Sequence, residues 1–184
     1  MDIVESLKNG AVGLFPTDTI YGLSASAYDK ESVERIYDIK GRSHQAPMIV
    51  LLSDINDLKA FRLSPKADTD RYLRQNWPGK ITFILPLEKG FDYITRGSGG
   101  IAFRVPGDAK LRAILQETGP LVSTSANPSG QKPASNVAEA KAYFGDKLDF
   151  YMDAGDLFSE PSTLVDLNSN RPAVLRQGET PFRI

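Results

Sequence analysis

The sequence predicts a layered α/β domain built on a largely buried, mixed sheet. Helix-period and strand-period apolar segments alternate along the chain, the usual sign of a sheet covered by helices. Several strand-like segments are continuous apolar runs, as expected for strands buried on both faces. The 184 residues, 41% hydrophobic and 24% charged, suffice for one domain with a real core, taken here as residues 1–184.

The elements follow from local pattern. Ile3, Val4 and Leu7 suggest a short amphipathic helix ending at Asn9-Gly10, where glycine can take a left-handed cap. Ala11–Phe15 reads as a buried strand broken by Pro16. Val33, Ile36 and Tyr37 have helical spacing, and Gly41 ends that helix. Met48–Leu52 is an apolar strand. Ser64-Pro65 reads as a helix start, with serine as N-cap and proline in the first turn, followed by Ala67 to about Asn76. Ile81–Leu85 and Ile101–Val105 read as strands around the glycine-rich turn Gly97–Gly100. Leu111, Ile114, Leu115 and Thr118 line a helix face. Leu121–Ser123 is a strand and Val137–Phe144 a helix. Leu148–Tyr151, Thr163–Leu167 and Ala173–Leu175 complete the set as strands. No internal repeat or low-complexity tract interrupts the series.

Composition removes several chemistries. There is no cysteine, hence no disulfide framework or thiolate catalysis. His44 is the single histidine, so His-rich zinc sites and the His-Glu-x-x-His pattern are excluded; a serine–histidine machine would have to run through it, and its polar stretch reads instead as an exposed loop. A net charge of −1 advertises no overall basic field for nucleic acid, though a local basic groove is compatible with it. No apolar run reaches membrane-spanning length, and Met1–Gly10 lacks a signal-peptide core, so a cytoplasmic protein without a membrane partner is expected.

Two short clusters remain. Lys40-Gly41-Arg42 offers a point charge and a planar fork, a pairing suited to phosphate oxygens. Residues two apart on a helix do not face each other, so these cations converge only if Gly41 ends the helix between them. The bland alternative is a pair of solvated cations at a helix C-terminus. Ser125-Ala126-Asn127 follows the apolar run Pro120–Val122, and in an extended segment both polar side chains share one face at a strand's C-terminal end. The alternative there is a turn, since Asn127-Pro128-Ser129-Gly130 is rich in turn formers. Arg104 stands in the apolar run Phe103-Arg104-Val105 and needs an anionic partner, either a protein carboxylate or a ligand. Thr17-Asp18-Thr19, Ser162-Thr163 and Arg176 likewise sit at strand ends. Gly97–Gly100 precedes a strand rather than a helix, which excludes a dinucleotide fingerprint. Gly79-Lys80 lacks the rest of a phosphate loop.

With these residues in hand, the chain resembles the YrdC-like family, the threonylcarbamoyl-AMP synthases of tRNA modification. The matching stretches are Phe15-Pro16-Thr17-Asp18-Thr19-Ile20-Tyr21-Gly22-Leu23, Ile39-Lys40-Gly41-Arg42, Trp77-Pro78-Gly79 and Ala102-Phe103-Arg104-Val105-Pro106. They continue through Ser123-Thr124-Ser125-Ala126-Asn127-Pro128-Ser129-Gly130, Pro161-Ser162-Thr163-Leu164-Val165-Asp166-Leu167 and Leu175-Arg176-Gln177-Gly178. The resemblance implies an open, twisted mixed sheet flanked by helices and curved around a basic groove. It implies a nucleotidyltransferase that makes threonylcarbamoyl-adenylate and pyrophosphate from L-threonine, bicarbonate and ATP. It further implies hand-off to a separate complex that modifies an adenosine in tRNA. By the same resemblance Lys40, Arg42, Ser125, Asn127 and Arg176 would hold ATP. Thr19, Arg104, Ser123 and Ser162 would surround threonine, with Arg104 on its carboxylate. No residue is assigned as a covalent catalyst. A magnesium ion (Mg2+) bridging the phosphates is expected, without an assigned protein ligand.

Three positions depart from the pattern of many relatives: Ser43, Ala46 and Leu51 replace a proline, an asparagine and a histidine. The chain ends soon after Arg176-Gln177-Gly178, so the single-domain bacterial form is expected rather than the longer one. Two other readings compete. One is a non-catalytic module that binds tRNA or double-stranded RNA in the same groove. The other is a relative of the YrdC-like part of hydrogenase-maturation carbamoyltransferases, whose further domains a chain of this length cannot hold.

Overall fold

The computed structural model describes residues 2–43, 46–87, 89–169 and 171–183, and His44 lies outside them. The strands are β1 (Gly13–Pro16), β2 (Tyr21–Ser26), β3 (Ile49–Leu51), β4 (Ile81–Pro86) and β5 (Gly100–Arg104), then β6 (Leu121–Ser125), β7 (Phe150–Tyr151), β8 (Thr163–Asp166) and β9 (Ala173–Arg176). They form one mixed sheet in the order β7-β1-β2-β6-β3-β5-β4-β8-β9. The pairs β1–β7, β3–β5 and β4–β8 are parallel, and the others are antiparallel.

Strand alternation divides the side chains between two unlike faces. On one face Leu14, Leu23, Val50, Phe83, Phe103, Val122 and Val165 join the main apolar core. Helices α2 (Lys30–Lys40), α3 (Ala67–Asn76) and α6 (Val137–Phe144) cover it through Val33 and Ile36, Leu73, and Ala140 and Phe144. On the other face Phe15, Leu51 and Leu121 pack with Leu7 of α1 (Ile3–Lys8) and with Leu111 and Leu115 of α5 (Ala109–Thr118). These two helices cover only part of that face. What they leave open is a cleft, and alternation aims Gly22, Ala102, Arg104, Ser123 and Ser125 into it.

Helix boundaries have local causes. Asp2, Asp29, Asp108 and Asn136 accept backbone N–H bonds at the starts of α1, α2, α5 and α6. Gly41 ends α2 in the left-handed region (φ 57°, ψ 34°), a conformation glycine adopts without a Cβ penalty. The Ser64-Pro65 expectation is corrected: α3 starts at Ala67, its N-cap is Lys66, and no side chain caps it. Asp68 and Asp70 in its first turn complement the helix dipole instead. Four further elements have no counterpart in the sequence reading: β2, two short 3-10 helices at Ile55–Phe61 and Gly145–Lys147, and the single turn α4 (Asp92–Thr95).

From β7 at one edge the chain must reach β8, crossing the span of six strands (β1, β2, β6, β3, β5 and β4). Residues 152–162 make this crossing without regular structure, as a strap. It is tied to the sheet by Tyr21, whose hydroxyl accepts the Ala154 N–H and donates to Gly155 O, both at 2.8 Å. A further tie runs from the Leu157 N–H to Ser135 O at 2.8 Å. No helix among the described residues is long and apolar enough to cross a membrane.

Tyr21→Phe removes both hydroxyl bonds while keeping the buried ring. It should lower stability in urea by about 1–3 kcal/mol and speed proteolysis within 152–162 rather than elsewhere. Limited proteolysis followed by mass spectrometry would check the location of the effect.

Candidate functional site

The cleft has a volume of about 290 Å³ and is lined by Thr17, Thr19, Gly22, Arg42, Arg104, Ser123, Ser125, Ser162 and Arg176, with apolar surface from Ile20, Ile49, Ile84, Ala102 and Leu164. Three arginines and a series of hydroxyls therefore face one space, and the described residues lining it include no carboxylate. Seven of the nine residues nominated from sequence meet here: Thr19, Arg42, Arg104, Ser123, Ser125, Ser162 and Arg176. Lys40 and Asn127 stand behind the lining.

The turn after β1 orients the first hydroxyls. Thr17 Oγ1 donates to Ile20 O at 2.7 Å and lies 2.9 Å from Thr19 Oγ1. A hydroxyl has one proton, so Thr19 donates to Thr17 and its lone pairs are left for Arg104 Nη1, at 3.1 Å. Arg104 is 1% exposed, which makes its surroundings decisive. Its Nη2 lies 3.2 Å from Asp18 Oδ1, and the other Asp18 oxygen accepts the Gly107 N–H at 2.7 Å. Burial pulls the Arg104 guanidinium below its usual pKa, with Asp18 opposing the shift and Arg176 adding to it. Arginine remains charged through such shifts. A protein carboxylate thus partners Arg104, as the bland alternative anticipates, yet Nε has no hydrogen-bond partner among the described residues and the side chain still lines the cleft.

The opposite wall comes from the end of the sheet. Ser162 Oγ lies 2.7 Å from Thr82 Oγ1. Arg176 donates to Ser162 O through Nε at 3.1 Å and Nη2 at 2.9 Å. Its direction depends on a β-bulge: Val165 pairs with Val174, but Leu164 pairs with Arg176. Leu175 is therefore the extra residue, and Arg176 falls beside Leu164 on the cleft side. Desolvation lowers the pKa of Arg176 as well.

The two sequence clusters meet, but not as the spacing suggested. Gly41 does end α2, yet the cations diverge. Arg42 turns to the cleft, with Nε on Ala46 O and Nη2 on Pro47 O, each at 3.1 Å. Lys40, 3% exposed, instead donates to Ser125 O and Asn127 O. Asn127 is also redirected: its amide donates to Pro128 O at 2.8 Å and Gln131 O at 2.9 Å, closing the turn that its Pro-Ser-Gly neighbours favour. The shared face expected of Ser125 and Asn127 is thus lost, because the strand ends at Ser125. Of the departures from the family pattern, Leu51 packs in the second apolar cluster beside α5, and Ala46 contributes its carbonyl to Arg42 and to the Tyr37 hydroxyl.

Asp18, Thr17 and Gly22 have no assigned role in the sequence pattern but help to form the cleft. A carboxylate between two threonines, after one strand and opposite a lone strand arginine, was a usable signal. Gly22 had none. Its importance is steric: a Cβ there would lie 2.6 Å from Ser123 Oγ and 3.2 Å from Thr124 O. Among the described residues no three His, Asp or Glu side chains gather as a metal site.

The Sua5/YciO/YrdC family model, which carries the description telomere recombination, matches residues 5–178. The chain belongs to this family. The threonylcarbamoyl-AMP synthase of Pseudoalteromonas translucida is 33% identical over 170 residues, covering 89% of this chain and 90% of that one. The threonylcarbamoyl-AMP synthase of Pyrococcus abyssi is 31% identical over 180 residues, covering 96% of this chain and 53% of that one. Among solved structures, P. abyssi Sua5 complexed with L-threonine superposes with a TM-score of 0.89 at 28% identity, over 97% of this chain and 53% of that one. Escherichia coli YciO gives 0.85 at 28% identity, over 97% of this chain and 88% of that one. The chain therefore spans about half the length of the archaeal relative and most of the length of the Pseudoalteromonas synthase and of YciO.

Gly22→Ala should destabilise the sheet by about 1–3 kcal/mol through overpacking against Ser123. Removing the struck atom with Gly22→Ala/Ser123→Ala should restore most of that loss. A double-mutant cycle in urea checks it, and additive effects would mean that the two side chains do not compete for space.

Proposed function

We infer that the chain is a threonylcarbamoyl-AMP synthase, a nucleotidyltransferase joining L-threonine, bicarbonate and ATP. The observation carrying this reading is the cleft lining, where three arginines and several hydroxyls converge without a lining carboxylate. Such a lining suits two anionic substrates held side by side. The threonine amine adds to the carbon of bicarbonate, and water leaves. A carbamate oxygen then attacks the α-phosphorus of ATP as the bond to pyrophosphate breaks. No covalent enzyme intermediate is needed, in keeping with the absence of cysteine. The work required of the chain is alignment, charge neutralisation and exclusion of water.

Arg104 takes the threonine carboxylate, with Thr19, Ser123 and Ser162 around the amino acid. Arg42, Ser125 and Arg176 face the nucleotide, with Lys40 and Asn127 shaping that half from behind. The lining offers hydroxyls rather than carboxylates, so magnesium would arrive on the phosphates as part of the substrate. The product is an activated mixed anhydride that requires an acceptor. Hand-off to a complex that modifies tRNA in the cytoplasm fits that chemistry. The RNA-binding alternative is disfavoured by the net charge of −1.

Purified protein with ATP and bicarbonate should release pyrophosphate only when threonine is added; release indifferent to threonine would sink the reading. Arg104→Lys keeps the charge but loses the fork, so the KM for threonine should rise roughly tenfold or more with that for ATP little changed. The reverse pattern would exchange the two halves of the cleft.

A further inference from the structure

We propose that Lys40 is a positioning residue, which clasps the 125–129 turn so that Ser125 faces the cleft and does not itself touch the nucleotide. The proposal rests on the ATP-binding reading of that half of the cleft. Its basis is a set of hydrogen bonds between one residue and one loop far away in sequence. Lys40 Nζ donates to Ser125 O and to Asn127 O, the latter at 2.7 Å. The Lys40 carbonyl in turn accepts the Ser129 N–H at 2.8 Å. Side chain and main chain of one residue thus hold three positions of the turn.

Lys40 is 3% exposed and is not part of the cleft lining, whereas Ser125 is. Gly41 adopts the left-handed conformation and separates the two cations, sending Arg42 alone to the ligand side. Burial, reinforced by Arg42, lowers the Lys40 pKa to about 7. A neutral amine still carries two N–H donors, and there are two carbonyls to receive them. The clasp therefore works without the full charge that a phosphate contact would use. Elsewhere the turn is held by the Ala126 N–H on Tyr21 O at 3.0 Å and the Ala134 N–H on Ala126 O at 2.8 Å. Residues 127–129 are otherwise held from within the turn, by the Asn127 N–H on Ser125 O at 2.9 Å, the Gln131 N–H on Pro128 O at 3.1 Å and the Asn127 side-chain amide on Pro128 O and Gln131 O, whereas Lys40 ties them to α2.

The test compares wild type with Lys40→Met, which keeps the apolar stem and removes the donors. In the ligand-free protein, amide exchange at Asn127 and Ser129 should accelerate roughly tenfold or more, the scale of a lost buried hydrogen bond, with the β5 amides unchanged. Well below the melting temperature, the KM for ATP should rise while that for threonine stays constant, a split that a general loss of stability would not produce. Unchanged exchange at 127–129 with a raised KM for ATP would overturn the proposal, because it marks direct contact with phosphate. If the variant does not fold, the wild type carries the test. An amine-acylating reagent should label Lys40 at least about tenfold more slowly than exposed lysines, equally with and without ATP. Rapid labelling that ATP suppresses would overturn it. Exchange and labelling in the ligand-free protein need no turnover. Missing threonine-dependent pyrophosphate release would therefore remove the functional reading and leave the clasp standing.

Discussion

A guanidinium buried in the middle of a sheet constrains everything around it. Arg104 is 1% exposed, and an unmatched charge at that depth would cost several kcal/mol. Its match is assembled from two turns: Asp18 and Thr19 approach from the loop between β1 and β2, and Gly107 fixes the far oxygen of Asp18. The Thr17 hydroxyl, spent on Ile20 O, gives the Thr19 oxygen its direction. A site of this kind is set before any ligand arrives. That preorganisation is what a reaction between two anions needs most, since little else lowers its barrier.

The rest of the cleft follows from unequal cover on the two sheet faces. α2, α3 and α6 close one face, while α1 and α5 close only part of the other. Period-two alternation then turns each strand's spare face into lining. Phe103 goes to the core and Arg104 to the cleft; Val122 goes to the core and Ser123 to the cleft. At β9 the same rule would misplace Arg176, and the extra residue Leu175 corrects the count.

Much of this was legible in the sequence where one face of an element is strongly apolar. The apolar spacing of Val137–Phe144 marks both observed ends of α6, and Gly41 marks the end of α2. β2 escaped because Tyr21-Gly22-Leu23-Ser24-Ala25-Ser26 places glycine and serine on its second face, a composition that resembles a loop. At Gly22 the small residue is required, because a Cβ there would lie 2.6 Å from Ser123 Oγ. Arg104 is findable because a charge in an apolar run is conspicuous, whereas Ser123 comes only from the family resemblance. The divergence of Lys40 from Arg42 was not, because it depends on carbonyls more than eighty positions away. Hydrogen-bonding direction at a loop is a tertiary fact, and local pattern carries no trace of it.

The strap at 152–162 has a consequence for the order in which the molecule becomes competent. It delivers the chain to β8 and β9, so Ser162 and Arg176 are among the last parts of the cleft to leave the ribosome. β4 and β5 can pair well before then, and Arg104 can find Asp18 and Thr19 while the far wall is still unmade. A nascent chain stopped short of the strap would have a half-cleft with one charge partner in place and its second wall absent. The second wall of the cleft therefore forms only after the strap has been made, and the strap works as a timer as well as a connection.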